Sequence, residues 1–152
     1  MLNKIIKLFS KSKTTKLPEY FNMYPDEIRT IILNEIYSNP QQCSEDEIPQ
    51  GVGEFGLEIT NPIPTFGIPA NEIYLNKLLL PNGLKPRWRR IGSTSTFSIT
   101  KSIDMYEIFD NHGETVCTLY INPYHLKISN KIPKGFKSWR IPADKASTAA
   151  LE

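Results

Sequence analysis

The stretch from Ile48 to Tyr74, IPQGVGEFGLEITNPIPTFGIPANEIY, constrains the fold of this chain most strongly. It contains four of the eight glycines and four of the twelve prolines, with large apolar residues set between them. Flexible linkers are polar and poor in hydrophobic residues, and this stretch is neither. Because proline fixes φ and glycine permits conformations closed to other residues, the pattern predicts an irregular but ordered segment packed by its own side chains. Long ordered connections of this kind are often functional.

Length and composition fit one domain. A chain of 152 residues can bury a core without disulfides or metals, and 39% hydrophobic with 22% charged residues is ordinary for a globular protein. The two cysteines, Cys43 and Cys117, are far apart and have no metal-ligand spacing, which argues against a disulfide scaffold or a zinc site. We therefore expect a cytoplasmic protein with no metal and no small-molecule cofactor.

Three regions are expected along the chain: a basic arm at residues 1–16, a single α+β domain at residues 17–142, and a disordered tail at residues 143–152. The tail ends in ASTAALE, which resembles a cloning remnant. The arm carries five lysines and no acidic residue, and its apolar residues fall on one helical face. This pattern is typical of weak contact with an anionic membrane surface, and equally of a terminus that packs on its own domain. No apolar run reaches the ~18 residues of a membrane span.

Charge is segregated along the chain, although the net charge is only +2. Residues 17–84 carry ten acidic and two basic side chains, whereas residues 85–140 carry ten basic and four acidic ones. Such asymmetry indicates either an anionic partner for the basic part or ion pairing between the two parts within the fold. The sequence leaves both explanations open.

The predicted fold class is α+β: an antiparallel sheet of four to five strands, one main N-terminal helix, and long ordered Gly/Pro-rich connections. The helix is expected at Pro25–Ser38, because proline suits the first helical position and apolar residues recur with helical spacing. Ile28, Ile31, Ile32 and Ile36 define its apolar face, which we expect to pack against the sheet.

Two β-hairpins are predicted. The first pairs Glu72–Leu80 with Lys85–Ile91 around a Pro-Asn-Gly turn. The second pairs Asp104–Phe109 with Thr115–Ile121 around a short loop rich in Asn, Asp and Gly, and its second strand should lie inside the sheet. A short strand is also expected at Phe55–Thr60, and an ordered coil over the basic tail.

Few residues are candidates for catalysis. The chain has no P-loop, dinucleotide fingerprint, HExxH, CxxC or nucleophile elbow. Glu54 and Glu58 share a face if their segment is extended, so they could form a carboxylate pair. His125 follows a strand and, with an arginine from residues 87–90, could complete a small hydrolase or nuclease site. Structural roles explain all three residues more simply.

The strongest basic cluster is Arg87-Trp88-Arg89-Arg90. On a strand, Arg87 and Arg89 share one face, and Trp88 and Arg90 the other. Basic residues interleaved with aromatic ones can hold a phosphate backbone and stack bases, although charge also protects an edge strand from pairing. The candidate binding residues are Asn61, Pro62, Pro64, Arg87, Trp88, Arg89, Arg90, Tyr124 and His125.

The run GVGEFGLEITNPIPTFGIPANEIYL, with the later RRIGS and LYINPYH, resembles a group of small bacterial proteins of unknown function. That group shares a G-x-G-E-F-G…T-N-P-I-P block, an R-x-G-S piece and a hydrophobic strand ending in a Y-H-P-like motif. The resemblance covers roughly Pro49 to Phe136, and the chain departs from it at Leu126, which replaces proline. It implies no catalytic residues, but it implies that the Gly/Pro-rich segment and the basic strand share one surface.

We therefore expect a non-enzymatic binding domain that recognises a protein partner through the Gly/Pro-rich segment and the adjoining basic strands. An immunity-type or antitoxin-like inhibitor is one form of this. The alternatives are a small hydrolase or nuclease that uses Glu54, Glu58 and His125, and a nucleic-acid-binding module.

Overall fold

The computed structural model describes residues 17–139. The basic arm at residues 1–16 and the tail at residues 143–152 lie outside this range. The elements are a 3-10 helix at Glu19–Met23, α1 (Asp26–Tyr37), β1 (Ile63–Pro64), α2 (Pro69–Leu75), β2 (Leu78–Leu79), β3 (Arg87–Thr96), β4 (Ile99–Phe109), β5 (Thr115–Asn122) and β6 (Lys137–Ser138). The predicted α+β class is confirmed. Across the described range, every helix is too short or too polar to span a bilayer.

The main sheet has four strands in the order β1-β5-β4-β3. Its β3–β4 and β4–β5 pairs are antiparallel, but β1 runs parallel to β5, with Ile63 opposite Ile121. The prediction of an antiparallel sheet is therefore wrong at this strand. The chain between β1 and β5 contains α2 and several strands, and a connection of that length can return the chain in the same direction.

The predicted β4–β5 hairpin is confirmed. Asp110 organises its turn, because its Oδ1 accepts the backbone N–H groups of His112 and Glu114, each at 2.9 Å. Gly113 adopts a φ of 80°, which glycine tolerates at no steric cost. As expected, β5 lies inside the sheet, between β1 and β4.

The other predicted hairpin is wrong. The Pro81–Gly83 turn does form, and the Gly83 N–H bonds the Leu80 carbonyl at 2.9 Å. However, β2 pairs with β6 in a separate two-stranded sheet, and β3 pairs with β4. The residues expected to begin the first strand instead form α2, because Pro69 supplies a suitable first helical residue.

Helix α1 forms within the predicted range, but Pro25 is its N-cap rather than its first helical residue. Its buried face also differs from the expected one. Ile32 and Ile36 are buried, whereas Ile31 is 57% exposed. The helix packs against Phe66 and Ala70 rather than against the sheet. α1 thus covers the Gly/Pro-rich segment, and the α1 side chains that face this segment are buried.

The Gly/Pro-rich segment is ordered, as predicted, but it contains no strand at Phe55–Thr60. Turns occupy that stretch, with the Glu58 N–H bonding the Glu54 carbonyl at 3.2 Å. Residues 61–67 are all buried. At Gly67, φ is 84°, and a Cβ would come within 2.8 Å of Ile32 Cγ2. A side chain at this position would push α1 away from the segment.

Candidate binding surface

The chain returns to the surface where the buried part of the Gly/Pro-rich segment ends. Backbone hydrogen bonds hold that part in place: Thr65 N–H donates to Asn122 O at 3.1 Å, and Gly67 N–H donates to Pro123 O at 2.8 Å. The next residue, Ile68, is 54% exposed, and Pro69 then begins α2. A rigid interior therefore presents Ile68 and Pro69 to solvent.

An apolar groove of about 410 Å³ lies on one side of Pro69. Its walls come from α1, from the end of the Gly/Pro-rich segment and from the chain after β5. It is lined by Ile28, Ile31, Ile32, Glu35, Gly67, Ile68, Pro69, Pro123 and Tyr124. Most of this lining is aliphatic, so the groove can accept apolar side chains but offers few polar partners.

Two further concave regions also touch Pro69. One, of about 320 Å³, is lined by Tyr24, Ile68, Pro69, Glu72, Trp88, Arg90 and Tyr106. The other, of about 390 Å³, lies between the 3-10 helix and α2 and is lined by Tyr20, Met23, Tyr24, Pro69, Glu72, Ile73 and Asn76. The Gly/Pro-rich segment and the basic strand thus contribute to one concavity. We call the apolar groove and these two regions together the Pro69 surface.

A buried polar network fixes the floor of this surface. The Thr65 hydroxyl donates to Asn71 Oδ1 at 2.7 Å, and Asn71 Nδ2 donates to Asp104 Oδ2 at 2.8 Å and to the Tyr106 hydroxyl at 3.2 Å. Arg90 reaches the other oxygen of Asp104 at 2.9 Å. The hydrogen bond and charge of Asp104 raise the pKa of Arg90, which stays cationic.

Sequence reasoning missed Asn71 and Asp104, the two central members of this network. Asp104 lies between the apolar residues Ile103 and Met105 in a strand, and a carboxylate at such a position was the available signal. Its partners could not be read from the sequence, because they depend on the β3–β4 register and on the position of α2. Trp88 packs edge-on against Tyr106, with 5.8 Å between the ring centroids, and both rings line the concavity of about 320 Å³.

The structure places the catalytic candidates in different environments. His125 is 1% exposed, and its Nδ1 accepts the backbone N–H of Cys43 at 3.1 Å. Burial lowers the pKa of His125 to about 4 and raises the pKa of Cys43, so both groups are neutral near pH 7. Glu54 and Glu58 are exposed, and the Glu58 carboxylate accepts the Glu54 N–H at 3.2 Å.

Four of the expected binding residues are buried and so cannot meet a partner at the surface: Asn61, Pro62, Pro64 and His125. Asn61 instead holds the preceding loop, since its Nδ2 donates to Glu47 Oε1 at 2.7 Å and to the Gly53 carbonyl at 2.9 Å. Pro62, Pro64 and their apolar neighbours fill the interior. The prediction that these residues bind a partner at the surface is therefore corrected, and their role is structural.

The remaining binding candidates divide between two places. Trp88 and Arg90 belong to the Pro69 surface, as does Tyr124 at the edge of the apolar groove. Arg87 and Arg89 lie on the opposite face of β3, where Arg89 pairs with Glu107 at 2.5 Å.

Ion pairs also link the basic and acidic parts of the chain. Lys127 lies 2.8 Å from Asp46 and Lys131 lies 2.6 Å from Glu47, and hydrogen bonds from Lys131 and Asn61 lower the pKa of Glu47. Part of the charge segregation is thus balanced within the fold. No group of three potential metal ligands occurs between residues 17 and 139.

Comparison with known proteins gives no match to any family model, curated protein or solved structure. The resemblance to the bacterial group therefore stays an expectation, and the Pro69 surface is interpreted from its own chemistry.

Proposed function

We propose that this protein is a binding domain that recognises another protein through the Pro69 surface. The observation that supports this most directly is the cluster of exposed apolar side chains around one set of concavities. Ile31, Ile68 and Met23 are 57%, 54% and 84% exposed. Single exposed apolar residues are normal, whereas contiguous ones rimmed by polar groups mark interaction sites.

The charge around this surface favours a basic partner. Glu72 lines two of the concavities, and the exposed Glu27 directly precedes Ile28, which lines the apolar groove. Neither carboxylate forms an ion pair with any residue from 17 to 139. A segment that carries apolar side chains next to lysine or arginine would fill the groove and pair with these groups.

The aromatic side chains fit the same interpretation. Tyr24 and Trp88 line the concavity of about 320 Å³ together with Arg90. Tyrosine, tryptophan and arginine are the residues that most often dominate binding energy at protein interfaces. Arg90 is already held by buried Asp104, so little side-chain entropy would be lost when a partner binds.

Other observations support protein binding over the two alternatives. Nucleic acid would require unpaired basic side chains on one face, but Arg89, Lys127 and Lys131 each have a carboxylate partner. A hydrolase would require an accessible base, and His125 is buried and neutral. An inhibitor of the immunity or antitoxin type is one protein-binding role that fits.

Selection from a random displayed peptide library tests this proposal. The full chain is the bait, and the double variant Ile31→Ser/Ile68→Ser is used for counter-selection. We expect enriched peptides that combine spaced apolar residues with lysine or arginine. Their affinity should fall at least about tenfold on the double variant, because two groove-lining side chains are lost. Val116→Ser, at an exposed position of β5, is the matched control and should bind like the wild type.

The charge argument has its own test with the same peptides. Glu72→Gln keeps the size of the side chain but removes its charge, so it should weaken binding and reduce the dependence of affinity on salt. Failure to enrich any peptide, or enrichment of peptides that bind the double variant equally well, would refute the proposal.

A further inference from the structure

The basic arm at residues 1–16 has two parts that differ in composition. The first part, residues 2–9, combines lysines with apolar residues, and four of these recur at positions i, i+3, i+4 and i+7: Leu2, Ile5, Ile6 and Phe9. An amphipathic helix that binds in an apolar groove has this spacing. The second part, residues 10–16, contains only serine, lysine and threonine, a composition typical of a linker. We call the first part the anchor and the second part the linker.

The arm joins the domain close to the apolar groove. Leu17, the first described residue, packs against the buried cluster that contains Ile32, and Ile32 also lines the groove. One wall of the groove comes from α1, whose 12 residues extend about 18 Å. The linker has seven residues and can span about 23–25 Å. It is therefore long enough to bring the anchor to any point along this wall.

The groove and the anchor are complementary in polarity and in charge. Ile28, Ile31 and Ile68 line the groove and are exposed, so they offer an apolar surface to the apolar face of the anchor. Glu27 and Glu72 have no ion-pair partner within residues 17–139. The arm carries five lysines and no acidic residue. It therefore has the character that the Pro69 surface favours in a partner.

We propose that the anchor binds as a helix in the apolar groove of its own chain and competes there with a partner. This inference rests on the proposed function, because it takes the Pro69 surface to be a binding site for apolar and basic segments. The arm acts as an intramolecular inhibitor of that site. A partner must displace the anchor before it can bind.

The linker determines how strong this competition is. A short linker holds a tethered segment at an effective concentration of roughly 1 mM. An anchor that binds the groove with a dissociation constant of about 100 µM would then weaken a competing peptide about tenfold. A modest intrinsic affinity is therefore enough to inhibit the site.

Fluorescence anisotropy of a labelled synthetic peptide with the sequence of residues 1–16 tests the proposal. The peptide is titrated with the full wild-type chain and with the full-chain variant Ile5→Ser/Phe9→Ser, whose own anchor loses two apolar side chains. This arm variant should bind the peptide at least about tenfold more tightly than the wild type, because its groove is open. Leu8→Ser removes an apolar side chain outside the i, i+3, i+4, i+7 series, so this control should bind the peptide like the wild type.

A second pair of substitutions identifies the site of binding. Adding Ile31→Ser/Ile68→Ser to the arm variant should abolish the gain in affinity, because both side chains line the groove. Both are exposed, so the fold should persist, and circular dichroism checks this. Equal affinity of the peptide for the wild type and the arm variant would overturn the proposal. Binding that survives the loss of Ile31 and Ile68 would also overturn it.

Two other binding sites for the anchor are outcomes of the same set of variants. A wild-type dimer in sedimentation velocity that the arm variant does not form would place the anchor on a second copy. Binding of the wild type to vesicles of phosphatidylserine and phosphatidylcholine, lost in the arm variant, would place the anchor on a membrane. Either result would overturn the proposal.

Failure of this inference and failure of the proposed function give different results. If displayed library peptides bind the wild type and the arm variant with equal affinity, the arm does not compete, and only this inference fails. If the peptide of residues 1–16 binds the groove of the arm variant but no library peptide is enriched on either chain, this inference holds, and the proposed recognition of a partner fails.

Discussion

Removal of the Asn71 side chain should destabilise the interior strongly. Its side chain is fully buried and makes three hydrogen bonds, to Thr65, to the Asp104 carboxylate and to the Tyr106 hydroxyl. Asn71→Ala removes all three hydrogen bonds, while Thr65 and Asp104 stay buried. With about 1 kcal/mol for each neutral hydrogen bond and about 2 kcal/mol for the bond to a carboxylate, the expected loss is about 4 kcal/mol. That is a large share of the roughly 5–15 kcal/mol by which domains are stable.

Urea unfolding followed by tryptophan fluorescence measures this loss, because Trp88 packs 5.8 Å from the Tyr106 ring at the edge of the network. At about 2 kcal/mol per molar urea, the midpoint should fall by about 2 M. Asn76→Ala is the control, since Asn76 is exposed at the end of α2, and it should cost less than about 0.5 kcal/mol. A midpoint shift as small for Asn71→Ala as for Asn76→Ala would refute the assigned role of the network.

Three further predictions concern single residues. Burial lowers the pKa of His125 to about 4, so between that value and the unfolded pKa of about 6.5 only the unfolded chain binds the proton. The free energy of unfolding should therefore fall by up to about 3 kcal/mol as the pH drops through this window. Urea unfolding at pH 7 and at pH 4.5 measures this fall. It should be smaller for His125→Asn, because asparagine does not titrate. Gly67→Ala should cost about 2–3 kcal/mol, because a positive φ is combined with a Cβ contact to Ile32, whereas Gly83→Ala, with a similar φ but open space around it, should cost about 1 kcal/mol. Equal losses at the two glycines in thermal unfolding would contradict the close approach. Burial raises the pKa of Cys117 to about 11, so alkylation of this thiol at pH 8, followed by mass spectrometry, should be at least about tenfold slower in the folded chain than in urea.

Local signals were sufficient for some elements of the fold. α1 lies within the predicted range of Pro25–Ser38, because proline at a helix start and apolar residues at helical spacing act within a few residues of each other. The β4–β5 hairpin forms for a similar reason, since the side chain of Asp110 organises a turn within its own loop. The order of the Gly/Pro-rich segment also followed from composition.

The candidate site was only partly accessible to sequence reasoning. The cluster at residues 87–90 pointed to Trp88 and Arg90, which do line the Pro69 surface. The exposed Ile31 was instead expected to face the core, because helical spacing identifies an apolar stripe but not which part of it another element covers.

The Gly/Pro-rich segment separates what the sequence determined from what the tertiary structure decided. Its prolines, glycines and apolar residues determined that it would be ordered and irregular, since those preferences belong to each residue and its neighbours. The parallel pairing of β1 with β5 and the burial of residues 61–67 were decided by partners far away in the chain. The same holds for Asn71 and Asp104, which are 33 residues apart yet share a hydrogen bond. Contacts at such separations form only when the whole fold closes, so no local pattern records them.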